Sequence, residues 1–430
     1  MNIVMFTNTF SPHVGGVAHS VSGLAQGLEE RGHNVLIVAP EFPGMPSVEA
    51  GVIRIPALQR FAGTDFSVPI PSSRSLDDDL DAFAPDIVHS HHPFLLGGTA
   101  LRVAAFRNLP VIFTYHTRYE LYGHYALQDS PMMMRLALSL ALGYCDLCDA
   151  VVAPSESTAE FLVQHKIKPP VHVIPTGIKA SAYATGNGPA LRKTMDIPQK
   201  AFIVGHVGRL APEKNLRYLS ESVVAFLKSN PNAHFLVAGS GATEPQIRDM
   251  FAKAGLEKRL HLAGVLEGTP LADIYAAMDV FAFSSHSETQ GLVLAEAMTA
   301  SVPVVSLDAP GAREIVKDGH NGYLLPSDAA PAEFAMALAL VANCNQMDYK
   351  KMRTAAADTS RNYTHDSCIT LTLALYSLVL APQPNSRKSA AGSWEAAMRS
   401  LGREWDIFGN VAHAVSDAVL APTSKNRSEE

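Results

Sequence analysis

A chain of 430 residues, 47% hydrophobic and 17% charged, is long enough for two domains with real cores and should be folded over most of its length. Its formal charge of −7 and pI near 6.2 argue against a nucleic-acid binder. Four cysteines without a signal peptide suggest a reducing cytoplasm, and the lack of any run of about 20 apolar residues argues against a spanning helix while leaving surface attachment open.

The opening MNIVMFTNTF reads as a strand that starts almost at Met1. SPHVGGVAHSVSGLAQGLEERGHNVLIVAP then supplies a Gly-containing loop, a helix and a second strand. Gly15 and Gly16 let backbone approach a ligand closely as the helix begins, although a tight turn also explains a lone glycine pair. The G-x-G-x-x-G spacing of a dinucleotide fingerprint is absent. Residues 50–83 are less regular, with Pro56, Pro69, Pro71 and the acidic run LDDDLD. That run reads as a charged helix start, favoured by the helix macrodipole, ahead of a metal site. His89, His91 and His92 in HSHHP match no zinc-ligand spacing, and no Cys or acid completes a set.

VIFTYHTRYELYGHY (111–125) begins as a β run and delivers His116 at its carboxyl end, the edge where open α/β sheets place ligands. A satisfied structural histidine is the alternative. The helix expected from about Pro131 to Tyr144 has only Arg135 charged, so it reads first as a core helix and second as one lying on lipid. Cys145 and Cys148 form a C-x-x-C without a partnering pair and read as buried small residues.

From Ala201, AFIVGHVGRLAPEKNL gives a strand ending at Gly208, then Arg209 and Lys214, with Pro212 helping to start the next helix. Two cations near a strand end can neutralise a diphosphate without a metal; taken alone, a surface Arg and Lys is the plainer reading. HFLVAGSG (234–241) and LHLAGVL (260–266) add two strand–turn units. MDVFAFSS (278–285) is a buried parallel strand, Leu292 to Ala300 a helix, and SVPVVSL a further strand, which together make a βαβ unit. Gly291 lies where loop becomes helix, so the N–H groups of Gly291, Leu292 and Val293 can face an anion. Glu288 and Glu296 frame that turn with seven residues between them. Eight helical steps rise about 12 Å, so the two acids address different parts of one extended ligand, or are simply a loop acid and a helix acid.

The tail divides in two. YTHDSCITLTLALYSLVL (363–380) has helical period, and APQPNSRKSAAGS is a linker in composition. Beyond it Trp394, Met398, Leu401, Trp405 and Phe408 recur at steps of four, three, four and three, an amphipathic stripe suited to packing on the first domain, self-association or a membrane interface.

Two Glu separated by seven residues ahead of SVPVV resemble the family-4 retaining glycosyltransferases, whose fold is the α/β GT-B arrangement of two Rossmann-like domains facing an interdomain cleft. GRLAPEKN and APGAREIVKDGHNGYLLP are similar to further motifs of that family. ETQGLV together with YHTRYELYGHY is narrower and resembles the diacylglycerol glucosyltransferase branch. The resemblance covers roughly residues 1–380. It implies an acceptor-side domain over 1–170, a hinge over 171–200, a nucleotide-sugar domain over 201–362 and a returning helix over 363–380. A linker over 381–393 and the 394–430 extension follow.

The implied reaction moves glucose from UDP-glucose to the 3-hydroxyl of 1,2-diacylglycerol with retention. It needs no cofactor and no metal, and it takes place at the cytoplasmic face of a membrane that the protein binds peripherally. By the same resemblance Arg209, Lys214 and the helix start hold the donor diphosphate, with Gly15 and Gly16 beside it. Thr289, Gln290, Gly291, Leu292 and Val293 line the donor, and the base sits near Gly264 and Val265. Glu288 holds the donor sugar, Glu296 the ribose, and His116 positions the sugar. Arg118, Tyr119, Glu120, Tyr122 and Tyr125 become acceptor-side candidates. Other donors (UDP-glucuronic acid, UDP-galactose, GDP-mannose), a soluble acceptor, or a nucleotide-sugar isomerase on the same fold stay as alternatives. The few cations of residues 50–83 favour the soluble acceptor, since attachment to anionic lipid usually recruits a richer basic patch.

Overall fold

The computed structural model describes all residues except 14, 48, 59–66, 70–73, 120–129, 382–392 and 421–430, and side chains outside 74–75, 393–397 and 419–420. The chain divides into two compact units, Met1–Ile174 with Ile369–Glu430, and Pro175–Cys368.

The first unit is built on a parallel sheet. Its strands are β1 (Asn2–Phe6), β2 (Asn34–Pro40), β3 (Val52–Ile55), β6 (Ile87–Ser90), β7 (Val111–Thr114), β8 (Ala150–Ala153) and β9 (Val171–Val173), while β4 (Ala57–Leu58) and β5 (Val68–Pro69) form a separate antiparallel pair. The order is β3-β2-β1-β6-β7-β8-β9. The strands are near-continuous apolar runs because both faces are covered. Side chains alternate across the sheet. Val4, Phe6, Val88, Phe113 and Val151 pack with Leu80, Leu101 and Tyr144 on one face. Ile3, Met5, Ile87, Ile112 and Val152 pack with Val21, Leu28, Ile369 and Tyr376 on the other.

The second unit repeats the plan with β10 (Phe202–Val207), β11 (Ala233–Ala238), β12 (Leu260–Leu262), β13 (Val280–Phe283), β14 (Val304–Leu307) and β15 (Gly322–Leu325). These are ordered β12-β11-β10-β13-β14-β15, all parallel. Val204, Phe235 and Val280 face the helix Leu216–Ser229, and Ile203, Leu236 and Phe281 face the helices Gly268–Ala277 and Leu292–Thr299. In each unit the strand order reverses beside the first strand, between β1 and β6 and between β10 and β13. Crevices for ligands open there, at the carboxyl ends of the strands.

Some elements differ from the sequence expectation and others match it. Pro212 opens a single 3-10 turn, Pro212–Lys214, and the helix proper starts at Leu216, because Asn215 between them is left-handed at φ 54°. The acidic run charges the start of the helix Arg74–Phe83 as expected, with Asp77 in its first turn, and Asp77 and Asp81 both reach Arg107. The apolar helix Pro131–Asp146 is half-buried along most of its length, covered by the terminal helix Ser393–Leu420. The expected 381–393 linker falls almost wholly outside the described residues. Cys145 and Cys148 are buried, and burial pushes both thiols up. Among the described residues no helix is long and apolar enough to cross a membrane.

Candidate active site

In the second unit β10 and β13 lie side by side, Val204 opposite Val280, so their exits bring two distant stretches together. The β10 exit carries Arg209 and Lys214; the β13 exit carries residues 284–291. Ser284 Oγ donates to the carbonyls of Lys214 and Asn215, each at 3.1 Å, and Ser287 Oγ donates to that of Glu213 at 3.3 Å. Held by these bonds, Lys214 Nζ pairs with Glu288 Oε1, the two side chains 14% and 19% exposed. Burial pushes the Glu288 carboxyl up, but the Lys214 charge and hydrogen bond, a hydrogen bond from Ser285 and the Arg209 charge outweigh it and hold the group below its usual value. Glu288 is therefore an anion at neutral pH, prepared to accept from hydroxyls. Arg209 pairs through Nη2 with the nearly buried Glu213 at 2.8 Å and keeps its guanidinium half-exposed.

Gly291 is the N-cap of the helix Leu292–Thr299 at φ 72° and ψ 52°, a left-handed conformation that glycine adopts without a Cβ penalty. The first N–H groups of that helix have no intrahelical acceptor, and the helix dipole favours negative charge there. Gln290 is buried, and its amide brackets Thr176. Its Oε1 accepts from the Thr176 N–H at 2.6 Å and its Nε2 donates to the Thr176 carbonyl at 2.9 Å. Thr289 is half-buried beside it. Glu296, one turn into the helix, accepts from two tyrosines, Tyr275 at 2.5 Å and Tyr183 at 3.2 Å. Burial first, and the Glu296 charge second, push both phenols up, so they remain protonated donors. Gly264 stands at φ 72° at the β12 exit, where its carbonyl accepts from the Gly239 N–H, and Val265 is exposed.

The first unit presents imidazoles in place of charges. His89 bonds Tyr376 Oη through Nδ1 at 2.6 Å and Thr114 Oγ1 through Nε2 at 2.8 Å. His92 Nδ1 accepts the Asn8 N–H at 3.1 Å. His116, two residues beyond β7, meets His91 with Nε2 against Nδ1 at 2.9 Å and the rings stacked. Burial holds His89, His92 and His116 down to about 3 and His91 well below 6.5, so all four rings are neutral at pH 7. His91 Nε2 has no hydrogen-bond partner among the described residues. A proton there would be an unsatisfied buried donor, so the ring proton belongs on Nδ1, donated to His116 Nε2, and His116 carries its own proton on Nδ1.

Gly15 is extended, at φ −178°, and caps the helix Gly16–Glu30 at the β1 exit. Of the acceptor-side candidates, Arg118 lies over the Phe161 ring at 4.7 Å, and Tyr119 packs edge-on to Phe94 and Tyr115. Glu120, Tyr122 and Tyr125 lie outside the described residues. No group of three or more His, Cys, Asp or Glu among the described residues is arranged to hold a metal ion.

The structure adds residues that sequence reading passed over. Tyr183 and Tyr275 hold Glu296, Glu213 holds Arg209, and His91 holds His116. Gly311, at φ 83°, lies so close beneath the donor loop that a Cβ would meet Gln290 C at 2.7 Å and Glu288 Cβ at 3.0 Å. Of these, Gly311 and Glu213 lay in the family-like wording APGAREIV and GRLAPEKN, and His91 in HSHHP, while Tyr183 and Tyr275 carried no signal.

The Glycosyltransferase Family 4 model matches residues 14–182, and the Glycosyl transferases group 1 model matches residues 189–360. The chain is 30% identical to an alpha-monoglucosyldiacylglycerol synthase of Acholeplasma laidlawii, covering 75% of this chain and 84% of that one. It is 31% identical to a GDP-mannose-dependent alpha-mannosyltransferase of Mycolicibacterium smegmatis, covering 76% and 85%. Sucrose-phosphate synthase from Thermosynechococcus elongatus shares the fold at a TM-score of 0.71 and 19% identity, over 88% of this chain and 99% of that one. Two parallel, doubly wound sheets, both family models and relatives matched over most of their length lead to one conclusion: the chain is a glycosyltransferase of the GT-B fold and belongs to family 4.

Proposed function

We propose that the protein transfers glucose from UDP-glucose to the 3-hydroxyl of 1,2-diacylglycerol with retention, working peripherally at the cytoplasmic face of a membrane. The observation that carries this reading is the joined edge of β10 and β13, where Arg209, Lys214, Glu288 and the Gly291 helix start converge. The name of the Acholeplasma relative and the YHTRYELYGHY stretch support the lipid acceptor.

In this reading Arg209, Lys214 and the N–H groups of Gly291, Leu292 and Val293 take the donor diphosphate, and Gly15 and Gly16 count among the donor-binding residues. Glu288 accepts from hydroxyls of the donor sugar and Glu296 from the ribose. Thr289 and the main chain of Gln290 line the donor. His116, neutral, positions the sugar, and Arg118 and Tyr119 serve the acceptor. The bond from the anomeric carbon to the diphosphate oxygen breaks, and the acceptor oxygen bonds to that carbon on the same face. The hydroxyl proton passes to the departing phosphate. The two cations and the helix dipole stabilise the charge that develops on that phosphate, so no divalent metal is needed.

A second donor has specific support, since a relative of nearly equal similarity is named for GDP-mannose. Offering radiolabelled UDP-glucose, UDP-glucuronic acid, UDP-galactose and GDP-mannose in parallel, with diacylglycerol in mixed micelles and with or without EDTA, tests the whole reading. Labelled glycolipid from UDP-glucose, unaffected by EDTA, is expected. Label from GDP-mannose alone would change the donor, and nucleotide release only with a soluble acceptor would overturn the lipid.

A further inference from the structure

The terminal helix Ser393–Leu420 lies beyond both family models and leaves an apolar arc exposed. Met398, Leu401, Trp405, Phe408, Val411 and Val415 are all exposed, Trp405 by 77%, Phe408 by 66% and Leu401 by 63%. At about 100° per residue they share one arc of the helix. The face turned inward is mixed: Ala414 and Ala418 are buried and Ile407 packs on the core, alongside Arg399, Arg403 and Asn410. Arg399 donates to Ala105 O at the end of the helix Leu96–Arg107, and Arg403 to Leu147 O at the end of the helix Pro131–Asp146. Asn410 donates to Leu140 O, Ser139 Oγ to Asp417 and Arg135 to Ala418 O.

An ordinary surface helix buries its apolar stripe and shows its charges. Here the cationic side chains satisfy orphan carbonyls at two helix ends and fix the helix with its apolar arc outward. The one acid within the arc, Glu404, is bound through both oxygens by Arg102, so the surface carries no net charge. The chain's own flanking segments contain nothing to cover it. Residues 382–392 read PQPNSRKSAAG and 421–430 read APTSKNRSEE, without one large hydrophobic side chain. Those flanks do carry Arg387 and Lys388 on one side and Lys425 and Arg427 on the other, beside Glu429 and Glu430. A second copy of the helix fits less well, since Val411 widens the arc beyond a two-per-heptad seam and its centre is filled by Trp405 and Phe408.

We infer that this arc is the surface by which the first unit lies on a bilayer, the helix in the interface plane with Trp405 and Phe408 among the acyl chains. The inference rests on the lipid-acceptor reading above. It places the contact on the unit that carries His116, Arg118 and Tyr119, on a helix mounted directly on Pro131–Asp146.

The chain's two tryptophans, Trp394 and Trp405, both belong to this helix, so intrinsic emission reports on it alone. In full-length Trp394→Phe enzyme, vesicles of phosphatidylcholine and phosphatidylglycerol should shift Trp405 emission to the blue and protect it from iodide. Leu401→Glu with Phe408→Glu should lose about tenfold or more in vesicle sedimentation, with unchanged melting temperature. An unmoved emission together with unchanged sedimentation would overturn the inference. So would a blue shift that needs no vesicles and grows with protein concentration, which would make the occupant a second copy. Glycolipid formation measured on the same samples separates the two readings. Product formed while Trp405 stays exposed sinks this surface alone, whereas insertion of Trp405 without product from any donor sinks the lipid acceptor and leaves the surface standing.

Discussion

The two units reach their ligand edges by the same topology and furnish them with opposite electrostatics. At the β10/β13 edge a lysine and a glutamate form a half-buried ion pair, with an arginine beside it. At the β6/β7 edge His91 bonds His116, His89 bonds two hydroxyls and His92 accepts a main-chain N–H, and burial keeps all four rings neutral. A phosphate-bearing ligand requires fixed charge that desolvation does not extinguish, and pairing supplies it: Lys214 keeps Glu288 ionised against its burial. On the proposed reading, sugar and acceptor hydroxyls meet oriented dipoles instead, which a desolvated imidazole network provides.

The largest test of this contrast removes the charged partner. Lys214→Ala should lower the rate of sugar transfer on the order of 100-fold or more, comparable to losing one fixed electrostatic stabiliser. It also strands Glu288, so a melting curve must accompany the kinetics. Arg209→Ala should approach the same loss while leaving the Lys214–Glu288 pair in place. Near-normal turnover in both variants would break the assignment of this edge to a diphosphate. Gly311→Ala comes next. A methyl there collides with Gln290 and Glu288 Cβ and demands a left-handed alanine, so the loop must shift. Displacements of about 1 Å at a reacting site cost up to 100-fold, and a loss of about tenfold is expected, read as kcat/KM for the donor.

The imidazole edge makes the contrasting prediction, in pH. His89 and His92 have native values near 3 against about 6.5 unfolded. The unfolded chain therefore binds protons that the native unit refuses. Their contribution is fully present above pH 6.5 and is lost as pH falls toward 3, by about 2 kcal/mol per histidine between pH 7 and pH 5. Denaturant titrations at pH 7 and pH 5 should show that drop, and His89→Gln should reduce it by one histidine's share, about 2 kcal/mol. Because His116 is held down in the same way, transfer measured on still-folded enzyme should show no inflection near pH 6.5. A histidine-like step there would mean that the edge is not desolvated and would erase the contrast.

What could be read from the residues, and what could not, follows the same division. Strands, the Gly291 cap and the exits carrying Arg209, Lys214 and His116 were legible because each depends on a local run: apolar residues, a turn glycine, a strand end. The Lys214–Glu288 pair spans 74 residues and exists only because β10 and β13 are neighbours. His91 was visible in HSHHP, yet its role depends on β6 lying beside β7, with Ser90 opposite Phe113. The helical period of the tail was plain, and its orientation was not. Periodicity finds an apolar stripe but is silent on which face is bonded inward, and here arginine-to-carbonyl bonds decide it.

The smallest predicted effect probes a support. Tyr183 donates to Glu296 Oε1 at 3.2 Å, from a separate short helix, Ala180–Tyr183, while Tyr275 holds Oε2 at 2.5 Å. Tyr183→Phe removes one hydrogen bond to a charged group and keeps the ring against Tyr275. Such a bond is worth about 1.5 to 3 kcal/mol when the acceptor is left buried and about 1 when water replaces it. Glu296 is half-buried, so water can enter, and the expected result is a rise of about fivefold in donor KM with kcat nearly unchanged. Equal loss in kcat would mean that Glu296 acts on the reacting atoms and not on a distant part of the nucleotide. The two carboxylates would then share one task, and the charged edge would be a single site instead of an extended one.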